Sequence, residues 1–180
     1  MGKIYPPGKV KLIAGLISND EALLDKAGKA LENRLKNKVD FKSATIDFTY
    51  TDYYNKEMGS GLKRRFLSFK RLVRLDNLAK VKLLTNSIEK RFCRAGNRAV
   101  NIDPGYVDMA KLVLLSTKDY SHRVHIGSGI FAEVTLHYKD KHFNFWPWTY
   151  PDYKSEGYAR IFGIIREIYA KDEKDLRGIC

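Results

Sequence analysis

The sequence predicts an α+β fold: a ferredoxin-like βαββαβ core with a C-terminal β-hairpin extension and a final helix. Three observations predict it. Short apolar or β-branched runs alternate with two amphipathic stripes in the order strand, helix, strand, strand, helix, strand. A second block of strands follows, punctuated by Gly127-Ser128-Gly129 and Lys139-Asp140. The chain then closes on a third amphipathic stripe from Glu156 to about Lys171, with Tyr158, Ile161, Phe162, Ile165, Ile168 and Tyr169 on one side.

Val10 to Ile17 is a nearly continuous apolar run and reads as a buried strand. Ser18, with Glu21 three places on, has the spacing of a capping box. The helix after it, Asp20 to Lys36, carries Leu23, Leu24, Ala27, Ala30, Leu31 and Leu35 on one face. Phe41 to Tyr50, rich in β-branched and aromatic residues, is the second strand, and Asp52 to Gly61 is a loop. Leu62 to Arg74 fits both helical spacing and alternation. It is read as a strand because Asp76 looks like a fresh helix cap. The helix from Asp76 to Arg94 shows Leu78, Val81, Leu84, Thr85, Ile88 and Phe92 as its stripe, with Gly96 to end it. Arg98 to Ile102 is a short strand running into Asp103-Pro104-Gly105. That tripeptide is read as a turn in which glycine takes a positive φ. Lys111 to Ser116, Arg123 to Ile126, Ile130 to Tyr138 and His142 to Phe145 complete the strands. Along Ile130 to Tyr138, strict alternation puts Ile130, Ala132, Val134, Leu136 and Tyr138 on one face. Phe131, Glu133, Thr135 and His137 take the other, which normally meets water.

One domain over residues 1–180 is expected, because 180 residues bury a sufficient core without staples. Cys93 and Cys180, with no short spacing, make neither a disulfide framework nor a zinc site, and Cys93 reads as a small buried or boundary residue. Met1 to Gly8 has no apolar run behind a basic start, and no stretch approaches the length of a membrane span. A cytoplasmic location away from membranes is therefore expected. The net charge is +12. From Leu62 to Arg98 twelve Lys and Arg face only Asp76 and Glu89, a local excess that attracts anions.

No Walker A loop is present: Gly8-Lys9 and Gly28-Lys29 lack the leading glycine and the following hydroxyl. Asn37-Lys38-Val39-Asp40 matches the guanine-reading tetrapeptide of GTPases, but stands without a phosphate loop. The polar residues that attract attention lie past strand ends, where a rigid sheet aims them. Asn101 and Asp103 share one face where their strand ends; Ser116, Thr117, Lys118, Asp119, His122 and Arg123 lie at and past the end of another. Lys118, His122 and Arg123, helped by Lys63 and Arg65, are expected to hold a phosphate. Asp103, Asp119 and Glu133 are expected to take Mg²⁺ or move protons, with His122 as a general base. The aromatic run over residues 143–153, from Phe143 to Tyr153, either closes a small core or stacks bases, with Asp152 as its acidic group.

Several strings together resemble one uncharacterised family of small prokaryotic proteins, domain of unknown function 4416. They are Glu57-Met58-Gly59, Thr85 to Glu89, Asn101 to Tyr106, Lys111 to Arg123, Gly129 to Leu136 and Pro147 to Tyr153. Members are sometimes labelled GTP-binding, and the missing phosphate loop gives that label no support here. Carried onto this sequence, the resemblance marks Asn86, Glu89, Asn101, Asp103, Tyr106, Lys118, Asp119, His122, Arg123, Glu133, Thr135, Asp152 and Tyr153, and assigns none of them a role.

The expected function is binding or processing of a small phosphate-bearing ligand, a nucleotide or its derivative. The alternatives are an RNA-binding module, using residues 62–98 for the backbone and 143–153 for stacking, and a non-catalytic interaction scaffold.

Overall fold

The computed structural model describes residues 2–178, with the side chain of Arg177 left aside. Cys180 lies outside the described residues. The fold is mixed α+β, built on a large antiparallel sheet. Its main strands are β1 (Lys9–Ser18), β2 (Val39–Lys42), β4 (Lys63–Phe69), β6 (Asn101–Val107), β7 (Lys111–Ser116), β9 (Phe131–Lys139) and β10 (His142–Phe145). They lie in the order β10-β9-β7-β6-β1-β4-β2. Three two-residue strands pair at the margins: β3 (Ile46–Asp47) with β4, β5 (Val73–Arg74) with β1, and β8 (Val124–His125) with β9. The helices are α1 (Glu21–Leu35), α2 (Asn55–Met58), α3 (Leu78–Arg91) and α4 (Glu156–Arg177).

β1 explains the layering. Its alternate residues Val10, Leu12, Ala14 and Leu16 cluster with Leu23, Leu24, Ala27 and Leu31 of α1 and with Leu78, Val81 and Ile88 of α3. The intervening Ile13 clusters with Tyr158, Phe162 and Ile165 of α4. A strand covered on both faces reads as an unbroken apolar run. The one charge in that run, Lys11, is fully buried and neutralised by Asp40 and Asp172. Two helices thus cover one face of the sheet, and α4 covers the other.

Several local expectations are corrected. Asp20, not Ser18, caps α1: its side chain accepts from Leu23 N, whereas Ser18 Oγ donates to the Ala99 carbonyl. Phe41 to Tyr50 is not one strand but is split into β2 and β3. The loop after it contains the single turn α2. Asp76 bonds Arg74 within a 3₁₀ turn and does not cap α3. Cys93 lies past the end of α3 and is exposed.

Asp103-Pro104-Gly105 is no turn. β6 runs straight through it, Pro104 pairs with Ala14, and Gly105 has no positive φ. The backbone accounting explains why proline is tolerated. Ile102 turns its N–H and C=O away from β1, to Glu89 and Lys82 of α3. Pro104 shares that parity, and the ladder with β7 opens only at Gly105, so no sheet bond is lost.

The alternation expected along β9 also fails. A bulge shifts the register, so that Leu112 pairs with Leu136 but Val113 pairs with Val134. Leu136 and Tyr138 therefore join the α4-side cluster, while Val134 stays against the α1/α3 side. Glu133 lies opposite Leu114 and on the α4 face, and it is buried rather than solvated.

Candidate functional site

The polar residues of interest gather at one end of the sheet. There the C-terminal ends of β1 and β7 meet the N-terminal ends of β4, β6 and β9. The strand residues among them, Arg64, Asn101, Asp103, Ser116 and Glu133, lie on the α4 face.

The centre is Arg64, which alternation aligns with Phe66 and which is only 3% exposed. Its guanidinium passes over Gly15, where a Cβ would come within 2.7 Å of Nη1. The missing side chain opens the path across β1 to β6. Arg64 Nη1 then donates to Asp103 at 3.2 Å, and Nη2 donates to Asp152 at 3.0 Å. The rings of Phe48, Phe66 and Tyr153 surround the cation at 5.0 to 5.7 Å. Burial pushes the Asp152 carboxyl above the usual aspartate range, Arg64 pulls it down, and Asp103 pushes it up again. Of the two carboxylates around this guanidinium, Asp152 is the more deeply buried.

The chain of contacts continues outward from Asp103. Asn101 Nδ2 donates to Asp103 at 2.9 Å, and Arg98 Nη1 donates to Asn101 Oδ1 at 2.9 Å. Arg98 also grips both oxygens of Glu57 in α2, at 2.8 and 2.6 Å. This fork holds the Glu57 carboxyl below the ordinary glutamate range. A depressed pKa stabilises the folded form above the unfolded value, and the effect is lost as pH falls through the folded one. An NMR titration of Glu57 is expected to show a midpoint below that of an unpaired glutamate, and Arg98→Ala is expected to move it up. An unchanged midpoint in the variant would remove this contact as the tie for α2.

The second half is organised by Arg123. Its Nε donates to Glu133 at 2.7 Å, Nη1 to Ser116 Oγ and the Lys118 carbonyl, and Nη2 to Tyr150 Oη at 2.5 Å. With four of its five N–H bonds used, Arg123 is the frame of the loop that follows β7. His122 Nε2 lies 3.2 Å from Glu133, and Thr135 donates to the other Glu133 oxygen. Lys118 Nζ donates to Tyr53 Oη at 2.9 Å, and this contact lowers the Tyr53 phenol below its ordinary range. Thr149 and Trp148 pin the aromatic loop to the backbone of β9.

The structure thus brings together Asn101, Asp103, Lys118, His122, Arg123, Glu133, Thr135, Asp152 and Tyr153. It does not bring Lys63 and Arg65 with them. Alternation turns both to the α1 face, where Lys63 pairs with Asp47 and Arg65 with Asp25. Glu89 bonds Ile102 N from α3 on the opposite face, and burial raises its carboxyl pKa. Tyr106 belongs to the α1/α3 core, and Asn86 is half-buried on α3. Asp119 stands exposed. The expected Mg²⁺ set of Asp103, Asp119 and Glu133 does not form: Arg64 and Asn101 hold Asp103, and Arg123 holds Glu133. Among the described residues, no group of three or more His, Cys, Asp or Glu is placed to hold a metal ion. The guanine-like tetrapeptide is structural, with Asn37 closing onto the Arg71 backbone and Asp40 onto Lys11.

Sequence reasoning missed Arg64, Arg98, Tyr150 and Gly15. Arg64 and Arg98 were counted only as charge. The available signal was the parity of Arg64 with Phe66 in a strand that has a buried face. Two shallow grooves of about 350 and 360 Å³ lie beside α1, one against Ile88 and Phe92 and one against Leu67. Neither borders the polar cluster, which is open on its loop side. The cluster carries the acid, base and cation chemistry, so it and not the grooves is the candidate site.

The family model described as Domain of unknown function (DUF4416) matches residues 8–169. No curated protein and no solved structure matches the chain.

Proposed function

The chain belongs to the DUF4416 family, and we propose that it binds a small phosphate-bearing ligand on the open, loop-side end of this cluster. The observation that carries the reading is Lys118. It is an exposed cation held in place through its backbone by Arg123 and through its Nζ by Tyr53, on the loop that also carries His122. In this reading Lys118 contacts the phosphate. His122 moves a proton: Arg123 already donates to Glu133, so Glu133 is an acceptor, His122 Nε2 donates to it, and Nδ1 is the ring nitrogen left to exchange a proton with the ligand. Glu133 positions that ring, and Asp152 is the buried acid behind Asp103. The frame is, in our reading, a ferredoxin-like unit over residues 9–107: strands β6-β1-β4-β2 with α1 and α3 on one face, extended past β6 by β7, β9 and β10.

The RNA-binding reading has less support. Of the twelve cations between Leu62 and Arg98, Lys63, Arg64, Arg65, Arg74, Arg94 and Arg98 are paired with carboxylates. Lys82 is turned inward to the Ile102 carbonyl. Lys80, Lys90 and Arg91 lie along α3, on the far side of the sheet from the aromatic loop. No helix among the described residues is long and apolar enough to cross a membrane.

The test is a thermal-shift series with inorganic phosphate, sugar phosphates and nucleoside monophosphates, each with and without Mg²⁺. A ligand at about 100 times its Kd is expected to raise the midpoint by roughly 5–10 °C. Lys118→Ala should abolish the rise and Lys63→Ala should leave it intact. No rise with any of these compounds, or one indifferent to Lys118→Ala, rejects the reading.

A further inference from the structure

We infer that the ligand carries a flat aromatic ring which stacks on a stair formed by Tyr120, His122 and Trp148, so that the phosphate-bearing molecule is a nucleotide and not a sugar phosphate. This rests on the site proposed above and names what that site selects.

Four side chains from two loops lie with their planes nearly parallel. Tyr120 and His122 are tilted by 5° at 5.9 Å between centroids, His122 and Trp148 by 13° at 5.7 Å, and Trp148 and Trp146 by 7° at 5.3 Å. Offset parallel rings are a favoured aromatic geometry, but this stair spans segments more than twenty residues apart and needs outside support. It has that support. The Trp148 indole N–H donates to the Val134 carbonyl at 3.3 Å. The Arg123 guanidinium lies over Tyr120 at 4.6 Å. Glu133 fixes the His122 edge.

The stair divides its labour. Trp146, half-buried against His137 at 4.4 Å, packs over the sheet end. Tyr120 and Trp148 remain 52% and 40% exposed although their orientations are fixed. An aromatic loop that only closed a core would hide those rings. Centroids 5.3 to 5.9 Å apart in nearly parallel planes are offset rather than eclipsed, so each ring covers only part of the next, and the uncovered, solvent-exposed parts form a stacking platform for another π-face. Lys118 lies two residues before Tyr120, and its ammonium also sits over the exposed Tyr53 ring at 4.6 Å. The flat-ring contact and the anion contact are therefore neighbours on one loop. A nucleobase is the flat ring that comes joined to a phosphate at such short reach.

Intrinsic tryptophan fluorescence and calorimetry with adenosine monophosphate, guanosine monophosphate, ribose 5-phosphate and a short single-stranded RNA test this. The nucleotides are expected to bind at least about fivefold more tightly than ribose 5-phosphate. Tyr120→Ala and Trp148→Ala should each erode that advantage and leave ribose 5-phosphate binding unchanged, and Trp148→Phe should restore part of it. Tyr120 is exposed enough that its variant keeps the test alive if Trp148→Ala loosens the loop. Equal binding of nucleotides and ribose 5-phosphate overturns the stair and leaves the phosphate site standing. Nucleotide affinity unchanged in both alanine variants does the same. Binding of RNA alone overturns it in favour of a polynucleotide surface. No binding of any phosphate removes both the stair and the site.

Discussion

Arg64→Ala is expected to cost the fold about 3–5 kcal/mol, the range for removing one partner of a buried ion pair. Urea denaturation of the variant and the parent measures it. The loss has three parts. Asp152, nearly as buried as Arg64 itself, is left without its counter-charge. Asp103 loses one of its donors. The rings of Phe48, Phe66 and Tyr153 lose the planar group they enclose. The pH dependence has a definite sign. Burial already raises the Asp152 pKa, and without Arg64 the largest opposing influence is gone, leaving only backbone hydrogen bonds at Asp152 and Tyr153 to lower it. The native state of the variant then holds a proton that the unfolded chain has released, so its stability falls as pH rises from the ordinary aspartate range towards the raised native value. The deficit is smallest in acid. Arg64→Met combined with Asp152→Asn removes both charges and should recover much of the loss, since a neutral replacement of a buried pair is often tolerated. A single variant that loses less than about 1 kcal/mol, or one most stable above neutrality, contradicts this account.

Arg64 also marks where reading the sequence succeeds and where it stops. The strands and helices were legible wherever periodicity reports burial directly. The β1 run, the α1, α3 and α4 stripes and the strand Lys111 to Ser116 all have a single environment per face. The failures share a cause: each depends on a partner distant in sequence. Asp103-Pro104-Gly105 has the local chemistry of a turn, but Glu89 and Lys82 satisfy the backbone at Ile102 and let the strand continue. Glu133 looks like a solvated strand residue until the bulge opposite Leu112 and Val113 brings Leu136 to its side and Arg123 covers it. For the site, the acids and the loop after β7 were recognised because they cluster past strand ends. The arginines that organise them were not, because a basic segment of this density hides which cations turn inward. Lys63 and Arg65 drew attention as neighbours on one strand face. The residue between them, on the other face, is the one at the centre.

Gly105→Ala is expected to destabilise the protein by about 1–3 kcal/mol or more, with the damage concentrated at the site. A Cβ at Gly105 would stand 2.3 Å from the Val113 carbonyl oxygen and 3.0 Å from Leu114 Cδ2. The first of these is backbone of the neighbouring strand, so no rotamer change relieves it, and β6 and β7 must part. These two strands carry the two halves of the cluster: Asn101 and Asp103 stand on β6, and Lys118, His122 and Arg123 follow β7. Separating them shifts the Arg64 half against the Arg123 half, so ligand binding should weaken beyond what the loss of stability alone explains. Gly163→Ala is the control. That position lies within α4 with nothing within 4 Å of the added carbon, and alanine there should gain roughly 0.5–1 kcal/mol by reducing the freedom of the unfolded chain. Thermal unfolding of the two variants side by side separates a crowded strand crossing from a general sensitivity to losing glycine. If Gly105→Ala is as harmless as Gly163→Ala, the β6–β7 contact is looser than this geometry requires, and the two halves of the site are not held in register by it.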